Sequence, residues 1–215
     1  MKFVAFDLEI DTIEEGTPQN ITCAAIKTDD AHKFWYDERP FITRNKAREL
    51  VDFLYRQHLG QLVTWNGMGF DFRILAEVSG MVAECREIAY NHYDIMFQFM
   101  THKGFPVSLD ATARGLGIAG KLEGMDGKQA VSKWAEGEYK LVLDYLLQDV
   151  QVTLDVANRV EEQKEIVWIT KAGKTRGVRI PKLLTVRECM TLPMADNSWM
   201  DTPLTREKFV EWATN

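Results

Sequence analysis

The sequence predicts an α/β fold, a mixed five-stranded sheet flanked by helices and followed by a C-terminal hairpin extension. Three observations lead there. Residues 2–10 are apolar on both faces, with Phe3 and Ala5 on one and Val4, Phe6, Leu8 and Ile10 on the other. That is the pattern of a central strand covered on both sides. The elements then run strand, strand, strand, helix, strand, helix, strand and further helices, an order that layers helices on a mixed sheet. Finally, 46% of the 215 residues are hydrophobic and 27% charged, an ordinary globular balance that excludes disordered and fibrous classes. The length suffices to bury a core without disulfide support.

After the first strand, Gly16, Pro18 and Asn20 mark a turn. Strands at 21–27 and 33–37 complete an antiparallel meander. Residues 44–58 carry Ala47, Leu50, Val51, Leu54 and Tyr55 on one stripe, which predicts an amphipathic helix. Residues 61–65 form a short apolar strand. The glycines at 67 and 69 then turn the chain into a helix starting near Asp71, and 88–92 supplies the fifth strand. Asp94 caps a helix running through Phe99, and 109–116 is helical, ended by Gly115 and Gly117. Residues 138–163 form the longest helix. This defines a domain over 1–163. Residues 164–215 form an extension packed on the same domain: strands at 166–170 and 175–180 around a Lys-Ala-Gly-Lys turn, an irregular stretch with Pro193 and Pro203, and a short helix over 205–212.

Three scattered cysteines, Cys23, Cys85 and Cys189, exclude a disulfide framework and a cysteine-based zinc finger. They favour a reducing, cytoplasmic setting. No apolar run approaches the roughly 20 residues of a membrane span, and the opening residues read as a strand and not as a signal peptide. The net charge is −6, but Lys171, Lys174, Arg176, Arg179, Lys182 and Arg187 sit in a stretch without acids, so the remainder sums to −12. A basic patch beside an acidic remainder suits a polyanion binder that also holds cationic metal. From charge alone, a solvated hairpin is the preferred reading of these residues.

The chemistry concentrates at three places. Asp7 and Glu9 are two apart and face one side of the first strand, at its C-terminal end, where open α/β sheets place ligands. Carboxylates about 6–7 Å apart on a covered strand repel, and a divalent cation relieves them. A strand that has already reached water at Asp7 needs no cation. Asp149 interrupts the apolar stripe Val142, Tyr145, Leu146, Val152, Val156 and Val160 of the longest helix. It requires a cation, an arginine or several donors. Tyr145, one turn earlier, reaches the space in front of it. In the segment from Thr64 to Leu75, Asp71 by itself reads as a helix N-cap.

Taken together, the three resemble the motifs of the DEDD superfamily of 3′-to-5′ exonucleases, which share an RNase H-like fold. Phe6-Asp7-Leu8-Glu9 resembles its D-x-E strand motif, Asn66-Gly67-Met68-Gly69-Phe70-Asp71 its second motif, and Tyr145-Leu146-Leu147-Gln148-Asp149 the Y-x-x-x-D motif of its tyrosine subclass. Asp144 stands where the histidine subclass would place its histidine. The chain looks like a free-standing relative of the proofreading domains of family-B polymerases, and Ser108-Leu109-Asp110 with Leu116-Gly117-Ile118 and Lys121 is similar to the linker of that group. One departure is Ile10, where the family often has threonine. Its backbone N–H can still meet a terminal sugar, without a hydroxyl contact.

The resemblance implies hydrolysis of phosphodiester bonds from the 3′ end of single-stranded nucleic acid, DNA favoured over RNA, with two divalent ions, Mg²⁺ or Mn²⁺. Asp7 would bridge the ions, Glu9 and Asp149 would complete one, and Asp71 would hold the other. Tyr145 would orient the attacking water. Leu8, Ile10, Asn66, Phe70 and Lys121 would contact substrate, and Lys174 and Arg176 its phosphates. Trp65, Trp168 and Trp199 are candidate base-stacking residues, with core packing preferred for Trp65. His92 and His102 receive no role. The rival reading is a catalytically idle RNase H-like binding module, which would need the basic hairpin but none of the acids.

Overall fold

The computed structural model describes residues 2–14, 16–119 and 125–214. Lys121 lies outside the described residues. A mixed five-stranded sheet runs in the order β3-β2-β1-β4-β5. β1 (Val4–Ile10) is central, antiparallel to β2 (Ile21–Lys27), which is antiparallel to β3 (His32–Tyr36). Antiparallel neighbours need no crossover. β4 (Leu62–Thr64) runs parallel to β1, and β5 (Tyr93–Asp94) parallel to β4. Parallel neighbours require crossovers. These are α1 (Arg44–His58), then α2 (Asp71–Ser79) with α3 (Val82–Asn91).

The two faces of β1 feed two cores. Val4, Phe6, Leu8 and Ile10 pack with Leu50, Leu54, Phe72 and Leu75, and the Phe6 and Phe72 rings stack at 5.4 Å. Phe3 and Ala5 face α7 (Tyr139–Gln163) through Val142, Leu146 and Val150. Asp7 and Glu9 follow Phe3 and Ala5 in the alternation, so they face α7 as well. The fifth strand differs from the sequence expectation. Residues 88–92 are the end of α3 and its C-cap, and pairing begins only at Tyr93. A short apolar run does not distinguish a buried helix end from a strand, and α3 begins without a side-chain cap that would announce it.

α4 (Ile95–Lys103) starts at Asp94, whose side chain accepts from the Phe97 N–H as its N-cap. α5 (Leu109–Gly115) and α6 (Gly127–Ala135) follow. Beyond α7, β6 (Glu165–Ile169) and β7 (Thr175–Arg179) form the expected hairpin, with Trp168 opposite Arg176. It docks on α5 so closely that a Cβ at Gly115 would lie 2.5 Å from the Trp168 Cα. Trp168 is core, edge-on to Phe99 at 5.0 Å. The chain ends with α8 (Val186–Met190), α9 (Arg206–Val210) and a 3₁₀ turn (Glu211–Ala213). Val186, Cys189, Val210 and Ala213 are buried in the same core as Phe6. Among the described residues, no helix is long and apolar enough to cross a membrane.

Candidate active site

β1 and α7 bring three carboxylates together. Ligand oxygens of Asp7, Glu9 and Asp149 lie within 4.8 Å of one another. Asp149 is buried, as its place on the apolar stripe requires, and Glu9 is 9% exposed. The β1–β2 register slips between Glu9 and Ile10, leaving Thr22 as the extra residue on β2. Bulges of this kind re-aim side chains beside functional sites. Tyr145, one helical turn before Asp149, is hydrogen-bonded to it. Burial pushes the Tyr145 phenol well above its ordinary range, reinforced by the charges of Asp149, Glu9 and Asp7.

Asp71 joins from α2. Phe70 takes the N-cap position, so Asp71 is the first helical residue and not the cap its sequence context suggests. Its Oδ1 accepts the Leu8 N–H at 3.1 Å, and it is hydrogen-bonded to Asp7. Burial raises the Asp71 carboxyl well above the usual range, and the Asp7 charge and that hydrogen bond add to the effect.

The turn before α2 is held by residues the sequence did not mark as functional. Asn66 sits in the left-handed region at φ 71°, which asparagine tolerates better than most residues. Asp94 Oδ1 accepts the Asn66 N–H and its Oδ2 the Met68 N–H, each at 3.0 Å. Thr64 Oγ1 accepts the Gly67 N–H at 3.0 Å and pairs with His92 Nε2 at 2.9 Å. His92 Nδ1 donates to the Ala89 carbonyl at 2.6 Å, and burial pushes its imidazole down to about 3, so it is neutral. His92 is therefore structural. Asp94 was readable only as a helix cap; its second task, gripping the turn, joins residues 28 and 26 positions apart.

A cleft of about 250 Å³ opens over the acids. Asp7, Leu8, Glu9, Ile10, Phe70, Tyr145 and Asp149 line it, as do Ile13, Trp65, Leu109 and Gly127. Trp65 thus forms a wall of the cleft as well as packing against both cores, with its indole N–H donated to the Val107 carbonyl at 3.2 Å. Neither Asn66 nor Asp71 lines it directly. Lys174 and Arg176 stand outside it, exposed on the hairpin, which leaves α7 about 21 Å of helix rise beyond Asp149. The basic patch is also smaller than its sequence count. Lys182 pairs with Glu188 at 2.9 Å and Arg187 with Glu87 at 3.4 Å. Lys171, Lys174, Arg176 and Arg179 have no ion pair among the described residues.

The donor set suits hard divalent cations. Three clustered carboxylates with a fourth bonded to one of them offer only oxygen, the preference of Mg²⁺ and Mn²⁺. Converging negative charge under partial burial is what such an ion neutralises.

A central strand with paired acids, met by acids from a crossover helix and a last long helix, is the layout of an RNase H-like domain. The model of the RNase_H superfamily matches residues 4–160, and the chain belongs to that superfamily. No curated protein matches the sequence. Among solved structures, it is similar to the family B DNA polymerase from the hyperthermophilic archaeon Pyrobaculum calidifontis, with 20% identity and a TM-score of 0.59. The match covers 74% of this chain and 24% of the polymerase, so the chain spans about a quarter of that protein. The Trypanosoma brucei RNase D, solved in complex with RNA U12, is similar at 12% identity and a TM-score of 0.41, over 97% of this chain and 71% of that one. At 20% identity the likeness to the polymerase is one of fold.

Proposed function

We propose that this chain is a metal-dependent 3′-to-5′ exonuclease of the tyrosine subclass, acting on single-stranded nucleic acid with DNA favoured over RNA. The observation that carries the reading is the convergence of Asp7, Glu9 and Asp149 within 4.8 Å, with Tyr145 bonded to Asp149 at the same cleft. Asp7, Glu9 and Asp149 would hold one divalent ion, and Asp71 beside Asp7 a second. Bound ions supply Lewis-acid stabilisation and an activated water for in-line displacement.

The chain's own groups do the rest. Tyr145 orients the attacking water through its hydroxyl; with a phenol held above its ordinary range it positions and does not abstract a proton. Water oxygen bonds to phosphorus as the bond to the 3′ oxygen breaks, releasing a nucleoside 5′-monophosphate and a new 3′ hydroxyl. Phe70, Ile10, Ile13, Trp65 and Leu109 provide an apolar wall for the terminal nucleotide. Leu8 and Asn66 shape the backbone around it. Lys174 and Arg176 serve the strand farther from its end.

Digestion of 5′-labelled single-stranded DNA and RNA of one sequence, with EDTA, Mg²⁺ or Mn²⁺, tests the reading. A ladder shortening from the 3′ end, only with metal and faster on DNA, is expected. Asp7→Ala and Asp149→Ala should each nearly abolish it. Intact substrate under every condition would leave the idle binding module as the better account.

A further inference from the structure

The superfamily match ends at residue 160, yet the turn carrying Asn66, Phe70 and Asp71 is closed from outside by residues far beyond it. The Trp212 indole N–H donates to the Met68 carbonyl at 2.8 Å. The Phe209 ring lies on Gly69, where an added Cβ would come 2.5 Å from its Cδ1. Phe209 also meets Phe97 edge-on at 6.2 Å, so α9 bridges α4 and the turn.

The tail is itself anchored. Arg206, 6% exposed, donates to the Cys189 carbonyl at 2.6 Å and the Leu192 carbonyl at 3.0 Å. α8 docks where the Val186 N–H meets the His92 carbonyl at 3.1 Å. The buried Gln98 side chain clamps the irregular segment leading to it, donating to the Lys182 carbonyl and accepting the Leu184 N–H. Met68 is thus gripped twice: its N–H by Asp94 from within, its carbonyl by Trp212 from outside.

We propose that Phe209 and Trp212 are positioning residues of the active site, a C-terminal brace that fixes the 66–70 turn and, through it, Asp71 and Phe70. The turn needs one. It holds Asn66 in a left-handed conformation, and Gly69 offers no side chain to anchor it. A displacement of about 1 Å at a reacting geometry costs up to roughly 100-fold in rate. The kinetic half of this proposal rests on the exonuclease reading.

The test uses the full chain with Trp212→Phe, Phe209→Ala and Phe209→Leu, and Ile180→Ala as a control that loses buried packing at the foot of the hairpin. Two readouts are taken well below each melting temperature: amide hydrogen exchange of peptides covering 66–72, and kcat and KM on a 5′-labelled single strand. Phe209→Ala should speed exchange in 66–72 and lower kcat by about 10–100-fold. Trp212→Phe, which removes the indole N–H and narrows the ring while keeping an aromatic in place, should do the same more mildly, and Phe209→Leu should recover much of the loss. Ile180→Ala should melt earlier with kcat unchanged. Parental exchange and kcat in both Trp212→Phe and Phe209→Ala would overturn the brace, as would an equal kcat loss in Ile180→Ala. Should Phe209→Ala fail to fold, Trp212→Phe and Phe209→Leu decide. Exchange requires no turnover, so a parent protein that hydrolyses nothing would remove the exonuclease reading and leave exchange of 66–72 to decide whether Phe209 and Trp212 hold the turn.

Discussion

The backbone N–H of Leu8 donates to the Asp71 carboxylate at 3.1 Å, across 63 positions of sequence. The same N–H meets Asp7 Oδ1 at 2.9 Å. One peptide group therefore sets the spacing of two acids from different motifs. Buried and beside Asp7, Asp71 holds its proton well above the usual carboxylate range, and a bound cation would displace that proton.

Metal should therefore stabilise the fold as well as support hydrolysis. At about 100 times its dissociation constant, one bound ion adds about 2.7 kcal/mol. For a chain of this length that corresponds to roughly 5–10 °C in melting temperature. Scanning calorimetry with EDTA or Mn²⁺ should show this gain in the parent and lose most of it in Asp149→Asn. In EDTA the variant should melt no lower than the parent, because the repulsion of Asp149 by Asp7 and Glu9 is gone. Retention of the full Mn²⁺ gain by Asp149→Asn would place the metal elsewhere.

Asp94 gives the pH dependence its sign. Burial pushes its carboxyl up to about 6 from 3.8, against the pull of the backbone N–H groups it accepts. A carboxyl raised by folding contributes stability that is fully present below its unfolded value and lost as pH rises through its folded one. Between about pH 4 and 7 the parent should lose up to about 3 kcal/mol relative to Asp94→Asn, at 1.36 kcal/mol per unit. Urea unfolding of both proteins across that range measures the difference. Parallel stability curves would show that the hydrogen bonds from Asn66, Met68 and Phe97 offset burial.

Tyr145→Phe keeps the ring in the α7 core and removes the hydroxyl bonded to Asp149. If that hydroxyl orients the water, kcat should fall by about 10–1,000-fold. Affinity for the strand, measured in Ca²⁺, should hold. A parental kcat would reduce Tyr145 to a packing residue.

Much of this arrangement was legible in the sequence because it rests on periodicity. The alternation in β1 put Asp7 and Glu9 on one face, and the stripe of α7 put Asp149 among valines. Signals ran out where local pattern is mute. The end of α3 read as a strand because Ile88 and Ala89 are buried in either case. α6 was missed although Asp126 and Gln129 form a capping box at its start. The grip of Asp94 on the Asn66 turn and of Trp212 on Met68 joins distant residues, the latter 144 positions apart. No spacing rule reaches that far.

The hairpin poses the last question, whether its charges meet substrate. Lys182 and Arg187 are paired with glutamates, which leaves Lys171, Lys174, Arg176 and Arg179 as candidates for phosphate contact. The hairpin packs on α5, whose first residue, Leu109, lines the cleft. A strand leaving the cleft along α5 would therefore run towards Lys174 and Arg176. Each phosphate neutralised on a single strand contributes about −0.7 to the slope of log K against log salt. Replacing Lys174 and Arg176 by alanine should then flatten that slope by roughly 1.4. The loss should be alike for every sequence, because phosphates carry no sequence information. Turnover at saturating strand should survive, since both residues stand outside the cleft. Binding of a labelled strand in Ca²⁺ across a salt series measures this. The same slope in variant and parent would mean that the charges only solubilise the hairpin, and that the strand leaves the cleft by another route.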